Sequence, residues 1–332
     1  MRVKNILIVH NGALGDFLCA WPGILAIYRH FGKMLGEDAA CWFCGRDFGP
    51  AWLTELGISK APPQVISDVE SMYLHSTPPA WLDDTLVFWF CLKTPVAKTT
   101  HPNLISIPVL DFAGLPEPLP RRERRQPLVI ENIRIRLEQC EITWEPCWQQ
   151  IWQERFGAWQ GSGSLQVGLL PGTGHTAKSW PLEKFEILSK GLDEAGFDPV
   201  YLLGPVERER GLLPLQARAE YPTPPPELAA RMMQMRAVIA CDGGPAHLAS
   251  HHGVPGLVLF GPINWRTWAP AGLEPLLPPP CPEDKLTGYP APLDDPKDIA
   301  QATGLQHIID LIEPQTVLER FFEMFGKYGG GG

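Results

Sequence analysis

Short apolar runs alternate with segments of helical spacing along most of the chain. The clearest apolar runs are Val3–Val9, Leu165–Leu170, Pro199–Leu203, Ala237–Cys241 and Val254–Phe260. Continuous apolar runs of this length are typical of parallel strands that are buried on both faces. Segments such as Phe17–Phe31 and Leu182–Ala195 have the spacing of amphipathic helices. The alternation predicts an α/β protein with doubly wound parallel sheets.

The chain divides into two predicted domains. Further strands are predicted at Ala39–Phe43, Gln64–Ile66, Thr85–Phe90 and Leu104–Ile107, followed by a helix over Leu128–Cys140. The segment from Gly157 to Ser164 has the composition of a hinge. A chain of 332 residues is long enough for about two domains. We therefore expect one domain over residues 1–157 and a second over residues 165–312.

A glycine turn follows the predicted strand Ala237–Cys241. Gly243 and Gly244 permit a close approach of the backbone to a ligand, and the proline after them suits the first turn of a helix. The N-terminus of such a helix favours phosphate. Asp242 and His247 lie beside the glycines and favour a ligand site, whereas the glycines alone are equally compatible with a plain tight turn.

Two other loops follow strands in the same predicted domain. In the loop Pro171–Pro181, the segment Gly172–Ser179 nearly fits a P-loop, but Ala177 replaces its last glycine and Pro181 interrupts the helix that the motif requires. What remains is a lysine, Lys178, and a hydroxyl beside a glycine-rich turn. Glu207 follows the next strand, where a carboxylate can bind the hydroxyls of a ribose. A solvated glutamate in the first turn of a helix is the alternative.

The loop His10–Asp16 follows the first strand. Its glycines have the spacing Gly-x-x-Gly, which is not the dinucleotide fingerprint G-x-G-x-x-G. Asp16 lies where this loop meets the next helix. The carboxylate fits two roles at this position, the N-cap of the helix and a general base above the strand ends.

Composition and charge narrow the class of protein. A net charge of −9 argues against generic nucleic-acid binding. The eight cysteines are scattered, which favours structural thiols in a reducing cytosol. No apolar run reaches the ~18 residues that a membrane span needs, and no signal peptide is recognisable, so we expect a cytoplasmic protein. A basic cluster, which reads as a solvated linker or as a patch for an anionic partner, comprises Arg121, Arg122, Arg124 and Arg125.

Three motifs occur in order along the chain: the segment Gly12–Asp16, the segment Lys178–Pro181, and the segment Asp242–Ala249. Together with the turn Phe260–Pro262, this series resembles glycosyltransferase family 9, the lipopolysaccharide heptosyltransferase family. The resemblance covers the chain from Val3 to about Trp268. It implies a GT-B fold, in which two Rossmann-like doubly wound domains face each other across a cleft. It also implies that a C-terminal helix over residues 313–326 returns to the first domain.

The resemblance implies an inverting transfer, by single displacement, of a heptose or related sugar from an ADP-sugar such as ADP-heptose. The acceptor would be a lipopolysaccharide core or another glycan. Asp16 resembles the catalytic base of the family, and the first domain would hold the acceptor. The residues that match its donor-binding positions are Thr173 and Lys178 for the phosphates, Glu207 for the ribose, and Asp242, Gly243, Gly244 and His247 in the glycine turn.

The expected enzyme uses no cofactor besides its substrates and no metal ion, because Lys178 and a helix N-terminus could take the place of a cation. We expect a monomer with at most peripheral contact to the inner face of the inner membrane. The chain departs from the family pattern at Gly243, where a threonine is usual, at His10 and Asn11, where many relatives carry a basic residue, and in the proline-rich segment Cys281–Asp295. A non-catalytic nucleotide-sugar-binding protein stays open as an alternative. A nucleotide-dependent oxidoreductase is less compatible, because the fingerprint of dinucleotide binding is missing.

Overall fold

The computed structural model describes residues 3–32, 39–93, 97–112, 126–161, 163–209, 211, 218–279, 298 and 308–326. The chain forms two compact units. One comprises residues 1–124 and 128–148, and the other comprises residues 125–127 and 149–332. Each unit contains one parallel sheet with helices in the connections. The prediction of two Rossmann-like doubly wound units is therefore confirmed. Among the described helices, none is both long and apolar enough to cross a bilayer.

The first unit is built on five parallel strands in the order β3-β2-β1-β4-β5. These strands are β1 (Asn5–His10), β2 (Cys41–Gly45), β3 (Ser59–Lys60), β4 (Thr85–Cys91) and β5 (Leu104–Pro108). The helices are α1 (Leu14–Gly32), α2 (Pro50–Leu53), α3 (Pro63–Met72) and α4 (Leu128–Gln139), with 3₁₀ turns at Thr54–Leu56 and Ala80–Asp83. Helix α1 packs closely on α4 at Gly23, where an added Cβ would lie 2.7 Å from Cγ2 of Ile133.

The strand predicted at Gln64–Ile66 is wrong, because these residues form the first turns of α3. Pro62 and Pro63 start this helix, since proline fixes a φ angle suited to the first helical position. Val65, Val69 and Met72 are buried on one face of the helix. This spacing of four and three residues is typical of one face of a helix. The packing of this face over about three turns decided the structure of the segment, whereas the short apolar run alone had suggested a strand.

The second unit is built on six parallel strands in the order β11-β10-β9-β6-β7-β8. These strands are β6 (Gln166–Leu170), β7 (Asp198–Leu202), β8 (Arg218–Glu220), β9 (Ala237–Cys241), β10 (Gly256–Leu259) and β11 (Leu273–Leu276). The helices are α5 (Trp148–Phe156), α6 (Leu182–Glu194), α7 (Pro205–Glu209), α8 (Pro225–Met232), α9 (Gly244–His252), α10 (Trp265–Trp268) and α11 (Pro314–Phe325), with 3₁₀ turns at Thr176–Lys178 and Ile308–Leu311. Every residue of β9 is buried, as its apolar sequence predicts.

The C-terminal helix α11 differs from the expectation that it would return to the first unit. It packs on α6, where Cδ1 of Leu318 lies 2.5 Å from the position of an added Cβ on Gly191. The ring of Phe321 meets that of Phe197 edge-on at 5.2 Å. The apolar face of α11 thus completes the core of the second unit, which explains why the helix lies there.

The boundary between the units lies at the start of α5, after Trp148, and not at the expected hinge, Gly157–Ser164. Trp152 of α5 donates its indole N–H to Nε2 of His252 at 3.2 Å. Trp159 donates its backbone N–H to the carbonyl of His252 at 2.8 Å and its indole N–H to the carbonyl of Met235 at 2.8 Å. These bonds hold α5 and the segment after it on the second unit.

Candidate functional site

The strand order of the second unit reverses direction between β6 and β9. From β6 the sheet continues to β7 on one side, and from β9 it continues to β10 on the other. The loops that leave the two strands diverge here, and ligands of open α/β sheets bind at such a switch point. The loop after β6 contains Thr173 and Lys178, and the turn after β9 contains Asp242 and Gly243. The fold thus brings together residues that lie more than sixty positions apart in the sequence.

Lys178 and Asp242 form an ion pair across the switch point. The Nζ of Lys178 lies 2.7 Å from Oδ2 of Asp242, and the two side chains are only 13% and 5% exposed. Apart from this ion pair, Oδ2 of Asp242 has no hydrogen-bond partner among the described residues. A buried ammonium next to an incompletely satisfied carboxylate is a suitable place for a polar, anionic ligand to enter the network.

The loop that presents Lys178 is fixed by its own hydrogen bonds. Thr173 is buried, donates its hydroxyl to the carbonyl of His175 at 2.7 Å, and lies 2.7 Å from Oγ of Ser179. The ring Nδ1 of His175 accepts the N–H of Ala177 at 3.2 Å. On the other side, an added Cβ on Gly261 would lie 3.3 Å from the Ala177 carbonyl. Thr173 therefore shapes this loop, and its contact with a donor phosphate stays a prediction.

Gly243 and Gly244 place the start of α9 directly beside the β6 loop. Gly243 is the N-cap of α9, and no side chain caps this helix end. An added Cβ on Gly243 would lie 3.2 Å from the carbonyl oxygen of Gly172, which is tighter than ordinary van der Waals contact. The close approach of two loops thus accounts for glycine at position 243. Gly243 and Gly244 directly follow β9 and Asp242, so the start of α9 lies at the same switch point, where a helix N-terminus favours an anion.

Glu207 reaches from the first turn of α7 to the β6 loop. Its carboxylate is buried and accepts the N–H of Gly204 through Oε2 at 2.6 Å. Its Oε1 lies 2.5 Å from the position that a Cβ on Gly172 would occupy. Glu207 is therefore not a solvated glutamate: one oxygen accepts the N–H of Gly204 at the start of α7, and the other faces the loop that contains Lys178. Its contact with a ribose stays a prediction.

Replacing Gly172 by alanine should displace Glu207, because the new methyl group would overlap the Glu207 carboxylate. We expect the free energy of unfolding to fall by about 1–3 kcal/mol, the usual cost of overpacking, together with a loss of nucleotide affinity. Gly174→Ala is the matched control in the same loop, because an added Cβ there meets no atom within 4 Å. Thermal unfolding and ADP titration of both variants test this; equal behaviour of the two would contradict it.

The charged groups of Asp242, Glu207 and Lys178 all lie close enough to the buried thiol of Cys241 to shift its pKa. The pKa of Cys241 is raised to about 12, mainly by burial and in addition by the carboxylates of Asp242 and Glu207. The Trp180 N–H, which Sγ accepts at 3.4 Å, and the ammonium of Lys178 act in the opposite direction. Sequence reasoning did not include Cys241, although its place as the last residue of β9, directly before Asp242, marks it as a neighbour of the site.

His247 lies on α9, one turn after the glycines. It is buried, and burial lowers its pKa to about 4, although the nearby carboxylate of Asp242 raises it and the ammonium of Lys178 lowers it. At neutral pH the ring therefore has no charge. His247 can contribute a hydrogen bond to a ligand but not the positive charge that would attract a phosphate.

Buried neutral histidines predict that acid destabilises the protein. The folded-state pKa of both His247 and His10 is lowered to about 4, whereas an unfolded histidine titrates near 6.5. Their stabilising effect is complete above pH ~6.5 and is lost as the pH falls toward 4, by up to about 1.4 kcal/mol per pH unit for each ring. Denaturant unfolding from pH 7 to 4.5 should show a shallower decline for His247→Asn. The exposed His75→Asn should match the unchanged protein; an identical slope for all three would contradict the prediction.

Asp16 lies at the start of α1, in the first unit. It is the third residue of the helix, and its Oδ2 accepts the N–H of Ala13 at 2.9 Å. Asp16 is therefore not the N-cap; it bonds back to the residue before the helix, as the acidic residue of a capping box does. Gly12 makes room for this arrangement, because an added Cβ would lie 2.9 Å from that oxygen and 2.8 Å from Cε1 of His10.

His10, the last residue of β1, is a neighbour of Asp16 that sequence reasoning did not include among the site residues. Its ring is buried, and it meets the ring of Phe17 edge-on at 5.9 Å. Burial is the main cause of its low pKa, about 4, and the nearby Arg46 lowers it further. Among the described residues Nδ1 of His10 is buried without a hydrogen-bond partner, while hydrogen bonds of the ring with the backbone of His10 and Asp16 act against the lowering of its pKa. The ring beside Asp16 is thus neutral, at a position where the resemblance leads one to expect a basic residue.

The family model for glycosyltransferase family 9 (heptosyltransferase) matches residues 149–274. The resemblance to glycosyltransferase family 9 is confirmed. The matched range contains the β6 loop, the ion pair at the switch point, Glu207 and the whole of α9. A comparison with curated proteins found no match.

Solved structures of family 9 resemble the chain over nearly its full length. A glycosyl transferase family 9 protein from Veillonella parvula is 16% identical, with 98% of each chain covered and a TM-score of 0.59. The ADP-heptose lps heptosyltransferase II of E. coli is 16% identical, with 98% of each chain covered and a TM-score of 0.56. The E. coli heptosyltransferase WaaC, solved with ADP-2-deoxy-2-fluoro heptose, is 11% identical, with 97% of this chain and 99% of that chain covered and a TM-score of 0.58. These similarities confirm the GT-B fold class.

The fold and the family match leave several expectations open. Among the residues that the structure describes, no group of three or more His, Cys, Asp or Glu side chains could hold a metal ion. Independence from metal ions nevertheless stays a prediction, as does the monomeric state. The basic cluster of Arg121, Arg122, Arg124 and Arg125 lies outside the described residues, as does the segment 281–295. An anionic acceptor that contacts this cluster therefore also stays a prediction.

Proposed function

We propose that the chain is an inverting glycosyltransferase that moves a heptose or related sugar from an ADP-sugar to a lipopolysaccharide core or another glycan. Transferase chemistry is the activity of the family that residues 149–274 match. In this proposal the second unit binds the donor and the first unit supplies the base. The observation that carries it is the Lys178–Asp242 pair at the switch point, beside the uncapped start of α9.

The donor site follows from the charges at the switch point. A pyrophosphate would receive a charge-assisted hydrogen bond from Lys178 and a further bond from the N–H of Gly244, because Pro245 has no N–H and the N–H of Ala246 donates to the Gly243 carbonyl. Asp242 holds the ammonium in place and offsets its charge when no phosphate is present. The site also contains a second carboxylate, Glu207, which would repel an additional phosphate but can accept hydrogen bonds from ribose hydroxyls. This distribution favours a nucleoside diphosphate with its ribose over Glu207.

The choice of the nucleobase in the donor rests on the solved structures of heptosyltransferases. The E. coli heptosyltransferase WaaC was solved with ADP and with an ADP-heptose analogue, at 13% and 11% identity to this chain. An adenine nucleotide is accordingly our first choice for the donor, and ADP-heptose is the sugar nucleotide to test first.

The proposed reaction is a single displacement. Asp16 accepts the proton of the acceptor hydroxyl as that oxygen attacks the anomeric carbon, and the bond from this carbon to the phosphate oxygen breaks. The sugar passes through an oxocarbenium-like state, and ADP leaves with the bonding electrons. Lys178 and the start of α9 stabilise the negative charge that develops on the departing diphosphate. The capping bond from Ala13 holds the Asp16 carboxylate in one orientation for this step.

Titration calorimetry with ADP, UDP and GDP tests the donor assignment. We expect ADP to bind and the other two nucleotides to bind at least about tenfold more weakly, a difference of about 1.4 kcal/mol. Thermal shift provides an independent readout, since a ligand at 100 times its Kd adds about 2.7 kcal/mol of apparent stability. Tight binding of UDP or GDP without binding of ADP would contradict the assignment.

A non-catalytic nucleotide-sugar-binding protein is the alternative with the same fold. The alternative would read the glycine at position 243, where the family usually has a threonine, as a sign of lost activity. The close packing of Gly243 on the Gly172 carbonyl explains this glycine without a loss of activity. Incubation with ADP-heptose distinguishes the two functions by mass spectrometry. An enzyme releases ADP together with a glycoside or free heptose, whereas a binding protein returns the sugar nucleotide intact.

A further inference from the structure

Two 3₁₀ turns that lie far apart in the sequence pack against each other in the second unit. One is Thr176–Lys178, which ends with the lysine of the ion pair, and the other is Ile308–Leu311. Gly261 marks their junction, because an added Cβ there would lie 2.9 Å from Cβ of Ile309 and 3.3 Å from the carbonyl oxygen of Ala177. Ile309 and Ala177 are both buried. The loop after β6 therefore packs on residues from outside the connection between β6 and α6.

Trp180 joins this loop to the segment that contains the second turn. It lies two residues after Lys178 and is 2% exposed. Its indole N–H donates to the carbonyl of Ile312 at 3.0 Å, and its backbone N–H donates to Sγ of Cys241 at 3.4 Å. The main chain of Trp180 is thus fixed at the end of β9, while its side chain is fixed at Ile312. A movement of Ile312 would therefore act on the end of the loop that presents Lys178.

Lys184, in the first turn of α6, fixes the backbone of that segment. Its Nζ donates to the carbonyl of Asp310 at 2.6 Å and to that of Ile312 at 3.1 Å. The same ammonium lies 2.8 Å from Oε1 of Glu313, whose side chain is 64% exposed, so solvent screens this pair and it contributes little. Hydrogen bonds from a charged donor are stronger than those between neutral groups. The two carbonyl bonds therefore hold residues 310–312 on α6, in the position from which Ile312 accepts the indole N–H.

We propose that the segment 308–313 positions Lys178 for the diphosphate of the donor, and that Trp180 and Lys184 are the positioning residues. Neither of these two side chains touches the donor in this proposal. Lys184 fixes the segment, and the segment fixes the loop through Trp180 and the packing of Ile309. An ammonium that is already held in place binds a phosphate more tightly, because less conformational freedom is lost on binding. The link to a donor rests on the proposed function; the fixing of the loop does not.

Three variants separate positioning from stability. Trp180→Phe removes the indole N–H but keeps a ring that can meet Phe185, which the indole meets edge-on at 4.9 Å. Lys184→Met removes the ammonium and keeps an unbranched side chain. Trp159→Phe is the matched control, because it removes the same kind of bond, an indole N–H to the carbonyl of Met235 at 2.8 Å. Met235 precedes β9, so the control bond lies at the amino edge of the sheet, opposite the switch point. Denaturant unfolding of each variant defines the conditions in which all of them are folded.

Hydrogen exchange in the protein without nucleotide gives the first measurement. The N–H of Lys178 donates to the carbonyl of His175 at 3.0 Å, and that of Ser179 donates to the carbonyl of Thr176 at 2.9 Å. These two amides report on local opening of the loop. We expect them to exchange about 3–10-fold faster in Trp180→Phe and in Lys184→Met, the usual effect of one lost hydrogen bond. Trp159→Phe should leave their exchange unchanged.

Calorimetry with ADP gives the second measurement. We expect the affinity for ADP to fall about 3–10-fold in Trp180→Phe and in Lys184→Met and to stay the same in Trp159→Phe. When Lys178 is already replaced by alanine, Trp180→Phe should change the affinity by less than about twofold, because the residue that it positions is missing. A purely structural role would lower the stability of all three variants and leave the affinity of the folded protein for ADP unchanged.

The two measurements decide different parts of the proposal. Unchanged exchange in both Trp180→Phe and Lys184→Met, or equally fast exchange in Trp159→Phe, would overturn the fixing of the loop by the segment 308–313. An equal loss of ADP affinity from Trp180→Phe with and without Lys178 would overturn the route through this lysine. If the unchanged protein binds no ADP, the donor assignment of the proposed function fails, and hydrogen exchange still decides whether the segment holds the loop.

Discussion

Asp16→Asn is expected to lower kcat by about 10²–10⁴-fold, the usual contribution of a general base. Asparagine can still accept the N–H of Ala13 through its side-chain oxygen, so the start of α1 should keep its capping bond. It cannot take the proton of an acceptor hydroxyl at neutral pH. The affinity for ADP should stay the same, because the donor residues lie in the other unit. Turnover of ADP-heptose with a lipopolysaccharide-core acceptor, together with ADP calorimetry, measures both effects.

Two further variants separate catalysis from stability. Asp16→Ala also removes the capping bond and should cost about 1 kcal/mol of unfolding free energy in addition to the loss of turnover. Glu183→Gln alters an exposed acidic residue in the first turn of α6 and should change neither quantity. If Asp16→Asn turns over at a rate close to the unchanged protein, Asp16 has only the capping role.

Lys178→Ala is expected to weaken ADP binding by about 10–100-fold, the equivalent of about 1.5–3 kcal/mol for a hydrogen bond to a charged group. Turnover should fall as well, because the ammonium also stabilises the departing diphosphate. The variant should in addition be less stable by about 3–5 kcal/mol, since the buried carboxylate of Asp242 is left without its counter-charge. Calorimetry with ADP and denaturant unfolding measure the two losses separately.

The double variant Lys178→Ala, Asp242→Asn tests whether the uncompensated charge of Asp242 causes the loss of stability in Lys178→Ala. It removes both charges of the pair, so most of the stability should return while ADP affinity stays low. Lys190→Ala is the matched control, because this lysine lies on the exposed face of α6 in a solvent-screened pair with Glu194. Normal ADP binding by Lys178→Ala would remove this lysine from the donor site.

The sequence by itself determined the elements with the strongest apolar pattern. Strand β9 is predicted with its observed bounds, Ala237–Cys241, because all five of its positions are buried, and burial on both faces requires an unbroken apolar run. The glycine turn after it is equally local information, since a helix that starts at Gly244 needs no side chain from elsewhere. The sequence indicated Asp16, Lys178 and Asp242 as candidate site residues for the same reason. Each lies in or next to a glycine-bearing loop that follows a predicted strand, and such a loop is recognisable from consecutive residues.

Only the tertiary structure decided which of these residues meet. The ion pair of Lys178 with Asp242 depends on β6 and β9 being neighbours in the sheet, which no local pattern reveals. The fit of Glu207 against Gly172 likewise needs two loops from different strands. The short run Gln64–Ile66 became a helix because the rest of α3 buries one face on the core. Long-range packing selects among structures that local sequence permits almost equally, and this is why α11 could be recognised as a helix but not assigned to its unit.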